Sequence, residues 1–312
     1  MANTIGTNAS AGNTYTDPGR YYDRRFLDRL APQLVLKQCG EMRPLPQKSG
    51  TLVKWHRLNK LTAATTALTE NTNPSETNVG TTEITVEPLS YGAWTKVSTE
   101  LNLKSINPIV EEIQDEQADQ AALTYDTILF NAIHTNFTDQ FAGGAASEAV
   151  VADTDVLNAA ELRKAVYTLR KENVPGYEGN MYKGVIHPAS QFDLLSDTAG
   201  GALIEASKYT TFEKVMKGEI GSLYGVRIMV SQNLPTGTGA TDDTYRAFVF
   251  GRQAFGVTEL AQHGVKTFRF KDGNTENPLM MYSTIGWKFM MGSVVFDASR
   301  AVEIYAGSGA DN

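Results

Sequence analysis

The histidines are the first residues whose chemistry can be judged from spacing. They stand at His56, His134, His187 and His263, and none has the H-E-x-x-H spacing of a helical metal site. Only His187, which Pro188 follows after a predicted strand, stands where catalytic side chains can occur. A histidine before proline also suits a turn or a helix cap, and we favour that interpretation.

A run of carboxylates between positions 111 and 119 could suggest a cation site. Calcium loops place oxygen ligands on a turn with a defining glycine, whereas this segment has the pattern of one long helix. We therefore expect a helix face that is solvated or that meets another subunit. The carboxylates are Glu111, Glu112, Asp115, Glu116 and Asp119.

Motifs for nucleotide binding and for hydrolysis are missing from the sequence. There is no G-x-G-x-x-G after a strand, no G-x-x-x-x-G-K-[ST] and no G-x-S-x-G. Gly218, Gly221 and Gly225 have a different spacing and precede a predicted strand, so we interpret them as turn glycines. The sequence predicts no enzyme, no cofactor and no metal ion.

Composition narrows the class of partner. The formal net charge is −7, which argues against tight DNA binding through phosphate neutralisation. A single cysteine, Cys39, excludes a disulfide within the chain. No apolar run approaches the roughly 20 residues of a membrane helix, and the first 20 residues lack the pattern of a signal peptide. We expect no membrane association.

The elements that must position these charges include a long two-stranded excursion. Thr51–Leu58 and Thr81–Ser90 alternate as strands do, and residues 61–80 between them are rich in Thr and Asn. An isolated hairpin is marginally stable in water, so we expect it to pack on another subunit. Its cations would pair with glutamates across the hairpin or with a neighbour's acidic helix.

Helices and further strands surround this hairpin, which gives an α+β pattern. Residues 1–19 predict a polar arm, and Pro18 marks the start of a short helix. A long helix with an apolar stripe is predicted at 108–135. A second helix is predicted at 155–173, with Asp155 as its candidate cap. The other expected elements are a helix after Pro188, a helix at 211–217, and strands at 181–187, 224–231, 245–250, 265–270, 285–290, 294–296 and 302–305.

The order of these parts resembles the major capsid proteins of tailed phages, in the podovirus-like branch with a separately encoded scaffold. The arm at 1–19 resembles the N-arm, and the hairpin at 45–97 resembles the extended loop, or E-loop. The acidic helix at 108–135 resembles the spine helix of the peripheral (P) domain. The run from Val185 to Phe250, which includes GEIGSLYGVRIMVSQNLP at 218–235, is similar to the axial (A) domain. The terminal IGWKFMMGSVVFDASRAVEI is similar to the closing P-domain segment.

This resemblance implies the tailed-phage capsid fold, with a long spine helix, an extended β-hairpin E-loop and a mixed α/β axial domain. The tip at 61–80 contains no lysine, so we claim no lysine–asparagine cross-link of the kind that some relatives form. The implied segments are 1–33 for the arm and short helix, 34–97 for the E-loop hairpin, 98–180 for the P domain with its spine, 181–255 for the A domain and 256–312 for the closing P-domain strands.

The implied function is a structural subunit that self-assembles into hexamers and pentamers of an icosahedral capsid around double-stranded DNA, without sequence-specific binding. It implies a virion protein assembled in the host cytoplasm, with a separate scaffold protein, a portal and a decoration protein as partners. The residues expected at subunit contacts are Lys54, Trp55, Arg57, Lys60, Glu83, Glu87, Glu111, Glu112, Asp115 and Glu116.

Three other interpretations compete. A cellular nanocompartment shell of the encapsulin type would share the arm, the hairpin and the spine helix. An α+β hydrolase would need a convergent polar site, which the sequence does not offer. A tail or receptor-binding protein would be expected to show repeats or a fibre pattern, against which the long helices argue.

Overall fold

The fold is described from a computed structural model that covers residues 34–46, 50–68, 70–105, 109–197, 222–240, 242–260, 265–270 and 277–311. The expected N-arm, the helix after Pro18 and the helix at 211–217 lie outside these residues.

The described elements are four α-helices and fourteen strands, joined by turns and short 3-10 segments. The helices are α1 (Thr99–Lys104), α2 (Ile109–Ile133), α3 (Ala159–Lys171) and α4 (Pro188–Ser196). The strands are β1 (Glu41–Met42), β2 (Val53–Leu58), β3 (Thr81–Val86), β4 (Leu89–Ser98), β5 (Thr138–Phe141), β6 (Tyr182–Ile186), β7 (Ser222–Leu223), β8 (Val226–Val230), β9 (Gly237–Thr238), β10 (Asp243–Phe250), β11 (Phe255–Glu259), β12 (Lys266–Phe270), β13 (Tyr282–Val295) and β14 (Ala301–Ala306).

The first sheet is organised around β13, which is one continuous strand of 14 residues and not the two blocks that the sequence predicts. It pairs antiparallel with β4, β11 and β12, and β1 extends the sheet in parallel beside β11. Gly286 keeps the strand continuous, because a Cβ there would lie only 2.9 Å from the Ala93 carbonyl oxygen on β4.

The predicted long helix is confirmed as α2, which packs on one face of this sheet. Gln117 donates from Nε2 to the Ile285 carbonyl at 2.9 Å, and Trp287 donates from Nε1 to Gln120 Oε1 at 3.2 Å. The Tyr125 and Phe289 rings lie 5.5 Å apart. The helix is therefore held to β13 by paired polar groups as well as by apolar burial.

The second sheet has the strand order β5-β14-β10-β6-β8-β7, with β9 attached to β10. Helices α3 and α4 share an apolar cluster with one face of this sheet. The strand β14, from the segment assigned by resemblance to the closing P domain, pairs with β10 over six residues. The proposed segment boundaries remain a prediction.

The start of α3 corrects one expectation. The cap is Asn158, whose side chain accepts from the Glu161 amide at 2.9 Å. Asp155 instead accepts from the Ala152 amide at 3.0 Å and so stabilises the preceding turn. The expected capping role of His187 is confirmed, because its Nδ1 accepts from the Ala189 amide at the start of α4.

A buried carboxylate, Asp126, lies on the inner face of α2. Its Oδ2 accepts from Asn233 Nδ2 at 2.9 Å, and its Oδ1 has no hydrogen-bond partner. Burial raises its pKa to about 6, and the hydrogen bond from Asn233 partly offsets this rise.

No helix in the described parts of the chain is both long and apolar enough to cross a bilayer.

The raised pKa of Asp126 predicts a specific pH dependence of stability. The folded state holds the proton more tightly than the unfolded chain, so ionisation lowers the free energy of unfolding as pH rises from about 4 to about 6. Relative to Asp126→Asn, the wild type should lose about 1–3 kcal/mol over that interval and stay level above it. Urea unfolding at several pH values measures this difference, and a constant difference would contradict the assignment.

Candidate subunit-interface surfaces

The predicted hairpin is formed by β2 and β3, which pair antiparallel from Val53 opposite Val86 to Leu58 opposite Thr81. Its two faces differ as the alternation predicts. Val53 and Trp55 are buried, whereas Lys54, His56 and Leu58 are exposed. The face of the hairpin base that carries Val53 and Trp55 is therefore packed against another part of the protein.

The base of the hairpin packs on its own chain, which corrects the expectation that it has no support there. Trp55 is only 8% exposed and its ring lies 5.2 Å from that of Phe296. Gly256 on β11 leaves room for this pair, because a Cβ there would come within 2.3 Å of the Phe296 ring. Trp55 therefore anchors the hairpin base within its own chain, and its expected place at a subunit contact stays a prediction.

The predicted cations of the hairpin also find partners within the chain. Lys54 forms an ion pair with Glu83 at 2.5 Å, and the hydrogen bond from Lys54 lowers the pKa of Glu83. Arg57 pairs with Asp297 at 2.8 Å. The pairing across the hairpin that is one alternative for Lys54 is therefore present within the chain, while both the lysine and the glutamate remain half-exposed and pairing with another copy stays a prediction.

The outer end of the base is held more lightly. Lys60 donates from Nζ to the Glu172 carbonyl at 3.2 Å, and Asn59 donates its amide proton to the Gly80 carbonyl at 2.9 Å. Glu87 is exposed at the other end of the returning strand. Beyond Lys60 the two arms continue without regular pairing.

The distal hairpin, residues 58–82, is the part of the hairpin that no other described part of its own chain covers. Every described residue in it is solvent-exposed. Four large apolar side chains in it are between 51% and 76% exposed, namely Leu58, Leu61, Leu68 and Val79. Exposed apolar side chains concentrated on one projecting element are characteristic of an interaction surface.

The carboxylates expected at subunit contacts on the long helix lie on two sides of the first turns of α2. Glu112 and Glu116 are exposed, whereas Glu111 and Asp115 are half-buried. The hairpin cations do not reach them within one chain, since Lys54 and Arg57 pair elsewhere. The pairing proposed between the hairpin and an acidic helix would therefore join two copies.

A second apolar surface, which the sequence reasoning missed, lies where α1 meets the segment before β13. The Thr99 amide donates to the Met281 carbonyl at 2.9 Å, and this bond holds the two segments together. The signal was present as the run Leu279-Met280-Met281 next to a proline. The exposed apolar side chains of this tip are Leu101, Leu103, Leu279, Met280 and Met281.

The face of the first sheet away from α2 forms an open concavity of about 570 Å³. Trp94 is 62% exposed there, and Lys96 Nζ lies 5.3 Å from the Trp94 ring and 4.7 Å from that of Tyr282. The alternation along β4 predicts from the sequence that Trp94 and Lys96 lie on the same side of the strand. Only the pairing of β4 with β13 shows that Tyr282 shares this face of the sheet.

A buried charge network joins the end of α2 to the second sheet. Glu303 is fully buried, accepts a hydrogen bond from His134 Nδ1 at 2.8 Å and lies 3.9 Å from Arg246 Nε. Arg246 also pairs with Glu148 at 2.9 Å, and its guanidinium lies over the Phe130 ring. Burial raises the pKa of Glu303, while His134 and Arg246 oppose that shift.

This network is structural in character. No group of three or more His, Cys, Asp or Glu side chains suited to a metal ion occurs among the described residues. The lone thiol, Cys39, is buried and its pKa is raised to about 12 by desolvation, so it is a poor nucleophile. The surfaces that remain are suited to association with macromolecules.

Comparison with known proteins decides the family. A sequence profile described as the phage capsid family matches residues 21–284 of the chain. The chain belongs to the phage capsid family. A search of curated protein sequences finds no match.

Solved structures share the fold of this capsid-family chain. The capsid of cyanophage P-SCSP1u is 18% identical, with a TM-score of 0.65 over 88% of this chain and 89% of that one. The capsid of Ralstonia phage GP4 is 17% identical, with a TM-score of 0.67 over 87% and 88%. The capsid of cyanophage Pam1 is 13% identical, with a TM-score of 0.65 over 100% and 99%.

The family defines the role of the chain: it is a subunit of a homo-oligomeric capsid shell and a component of the virion. The α+β capsid fold predicted from the order of elements is confirmed. The family is one of structural proteins and not of enzymes, and the encapsulin-type alternative is not favoured.

The anchoring role of Trp55 can be tested in the capsid protein. Trp55→Ala removes a buried ring from a small cluster, so the local free energy of holding the hairpin base should fall by about 3 kcal/mol. Amide exchange in β2 and β3 should then accelerate by about 100-fold. Hydrogen–deuterium exchange measures this effect. Trp94→Ala, which removes an exposed ring, is the control, and equal exchange in both variants would refute the anchor.

The buried network gives a second prediction. Arg246→Ala leaves Glu303 buried with one cation fewer and should destabilise the protein by about 3–5 kcal/mol. Adding Glu303→Gln should recover part of that loss, because the uncompensated charge is removed. Lys104→Ala breaks an exposed pair with Glu100 and should cost about 1 kcal/mol or less. Chemical denaturation compares the three, and a loss for Arg246→Ala no larger than for Lys104→Ala would contradict the network.

Proposed function

We propose that this shell subunit assembles into pentamers and hexamers that enclose double-stranded DNA, with its distal hairpin packed on a neighbouring copy. The observation that carries the proposal is the exposure of Leu58, Leu61, Leu68 and Val79 on an element that is anchored only at its base. Burying each side chain on a neighbour would contribute roughly 1.5–3 kcal/mol.

The charge of the distal hairpin supports packing on a partner whose surface is complementary to it in charge. Its described charged residues after Lys60 are Glu70 and Glu76, so it presents apolar and acidic groups together. The concave face around Trp94 and Lys96 is aromatic and basic. A second copy supplies such a face for every hairpin, which suits a shell built from one chain.

The remaining parts of the proposal concern other partners. A separate scaffold protein would guide assembly in the host cytoplasm, a portal would occupy one vertex and a decoration protein would bind the outer surface. The net charge of −7 supports a shell that encloses packaged DNA without binding it tightly or sequence-specifically, because like charges repel. The division into N-arm, E-loop, P domain and A domain is part of the same proposal.

The distal hairpin should be required for assembly but not for folding. The triple variant Leu61→Ser, Leu68→Ser, Val79→Ser removes apolar area only where the side chains are exposed, so its melting temperature should match the wild type. Its yield of particles, co-expressed with the scaffold protein, should fall at least tenfold in sedimentation and electron microscopy.

The matched control is Phe192→Ser, which removes a comparably exposed apolar side chain from α4. It should assemble as the wild type does. A triple variant that forms particles in normal yield would contradict the proposed packing of the hairpin. A wild type that stays monomeric with its scaffold would contradict the shell assembly itself.

A further inference from the structure

The sequence around α3 changes sign abruptly. Residues 135–161 contain five carboxylates and no lysine or arginine, whereas residues 162–171 contain four cations and no carboxylate. The fold places Arg163 and Arg170 beside the β7–β8 end of the second sheet and Asp139 on β5 at its other edge. Two members of these stretches are already paired within the chain, since Glu161 forms an ion pair with Lys164 at 3.6 Å and Glu148 with Arg246 at 2.9 Å. The carboxylates are Asp139, Glu148, Asp153, Asp155 and Glu161, and the cations are Arg163, Lys164, Arg170 and Lys171.

One flank of α3 forms a basic groove of about 410 Å³ beside the turn between β7 and β8. The Arg163 guanidinium lies 5.1 Å from the Tyr224 ring, and Tyr167 is 66% exposed. Within the described part of the chain, no carboxylate pairs with Arg163, Arg170 or Lys171. The basic groove is lined by Arg163, Val166, Tyr167, Arg170, Lys171 and Tyr224.

The other flank of α3 faces β5, at the far edge of the same sheet. Gln140 on β5 donates from Nε2 to the Glu161 carbonyl at 2.9 Å and to the Glu161 carboxylate at 2.6 Å. Asp139 is exposed on this strand, and Asp153 is half-exposed in the loop that follows. Among the described strands, β5 pairs with β14 alone. We define β5 and residues 142–161 as the acidic edge.

We propose that the basic groove of one copy receives the acidic edge of the next, and that this contact closes the rings of the shell. The inference rests on the proposed assembly into pentamers and hexamers. A ring needs a contact between two different surfaces of the same chain, and these two edges of one sheet are opposite in position and in charge. Complementary charges favour one orientation and disfavour like-charged alternatives.

A second copy suits the groove better than nucleic acid does. Each copy brings one acidic edge for every groove, so the numbers match without another component. Arginine and tyrosine, which dominate the groove, are the residues most enriched at energetically important protein contacts. The chain as a whole is acidic, with a net charge of −7, which disfavours DNA near its surface.

A charge swap tests the contact. Arg163→Glu with Arg170→Glu makes the groove acidic, and Asp139→Lys with Asp153→Lys makes the edge basic. Each double variant should lower particle yield at least tenfold, and the quadruple variant should recover assembly because every contact is again complementary. All four side chains are at least partly exposed, so melting of the dissociated subunits should stay as in the wild type.

The conservative variant Arg163→Lys with Arg170→Lys keeps the charge and should assemble in nearly normal yield. Normal assembly of both reversed double variants, or failure of the folded quadruple variant to recover, would overturn the ring contact while wild-type particles still support the shell. Binding of labelled double-stranded DNA is measured in parallel. A loss of DNA affinity in Arg163→Glu with Arg170→Glu, with unchanged assembly, would show a phosphate site and also overturn it.

Discussion

A two-stranded hairpin can bury only one face, and in this chain the core that covers that face ends before the hairpin does. Trp55 and Phe296 close the small cluster at its base. Beyond Leu58 the apolar side chains continue, but no described part of the same chain lies against them. Exposed apolar side chains on one element favour association, and the proposed packing on another copy would supply the missing face.

The rest of the fold serves to hold that projection rigidly. Phe296, which directly follows β13, packs in the hairpin cluster. The strand itself contacts the spine helix through Ile285 and Trp287. The charge network around Glu303 then joins the end of the spine to the second sheet.

Local patterns in the sequence were sufficient for the elements with strong periodicity. The apolar stripe of α2 and the alternation of β2 and β3 follow from the side chains alone. The features that could not be predicted from the sequence depend on contacts between residues that are distant along the chain. The packing of Trp55 within its own chain could not be predicted from the sequence, because its partner Phe296 is distant along the chain. Asp155 and Asn158 are both good caps, and only the loop geometry selects Asn158. The pairing of β14 with β10 and the burial of Arg246 have no local signature.

Hydrogen–deuterium exchange of residues 58–82, in subunits within intact shells and in subunits dissociated from them, tests the central claim most directly. The account predicts that the amides of residues 61–79, which lie outside the paired strands, exchange at nearly unprotected rates in the free subunit and become strongly protected in the shell, while β2 and β3 are protected in both states. Equal exchange of residues 58–82 in the two states would show that no neighbouring copy covers the distal hairpin, and would contradict the account.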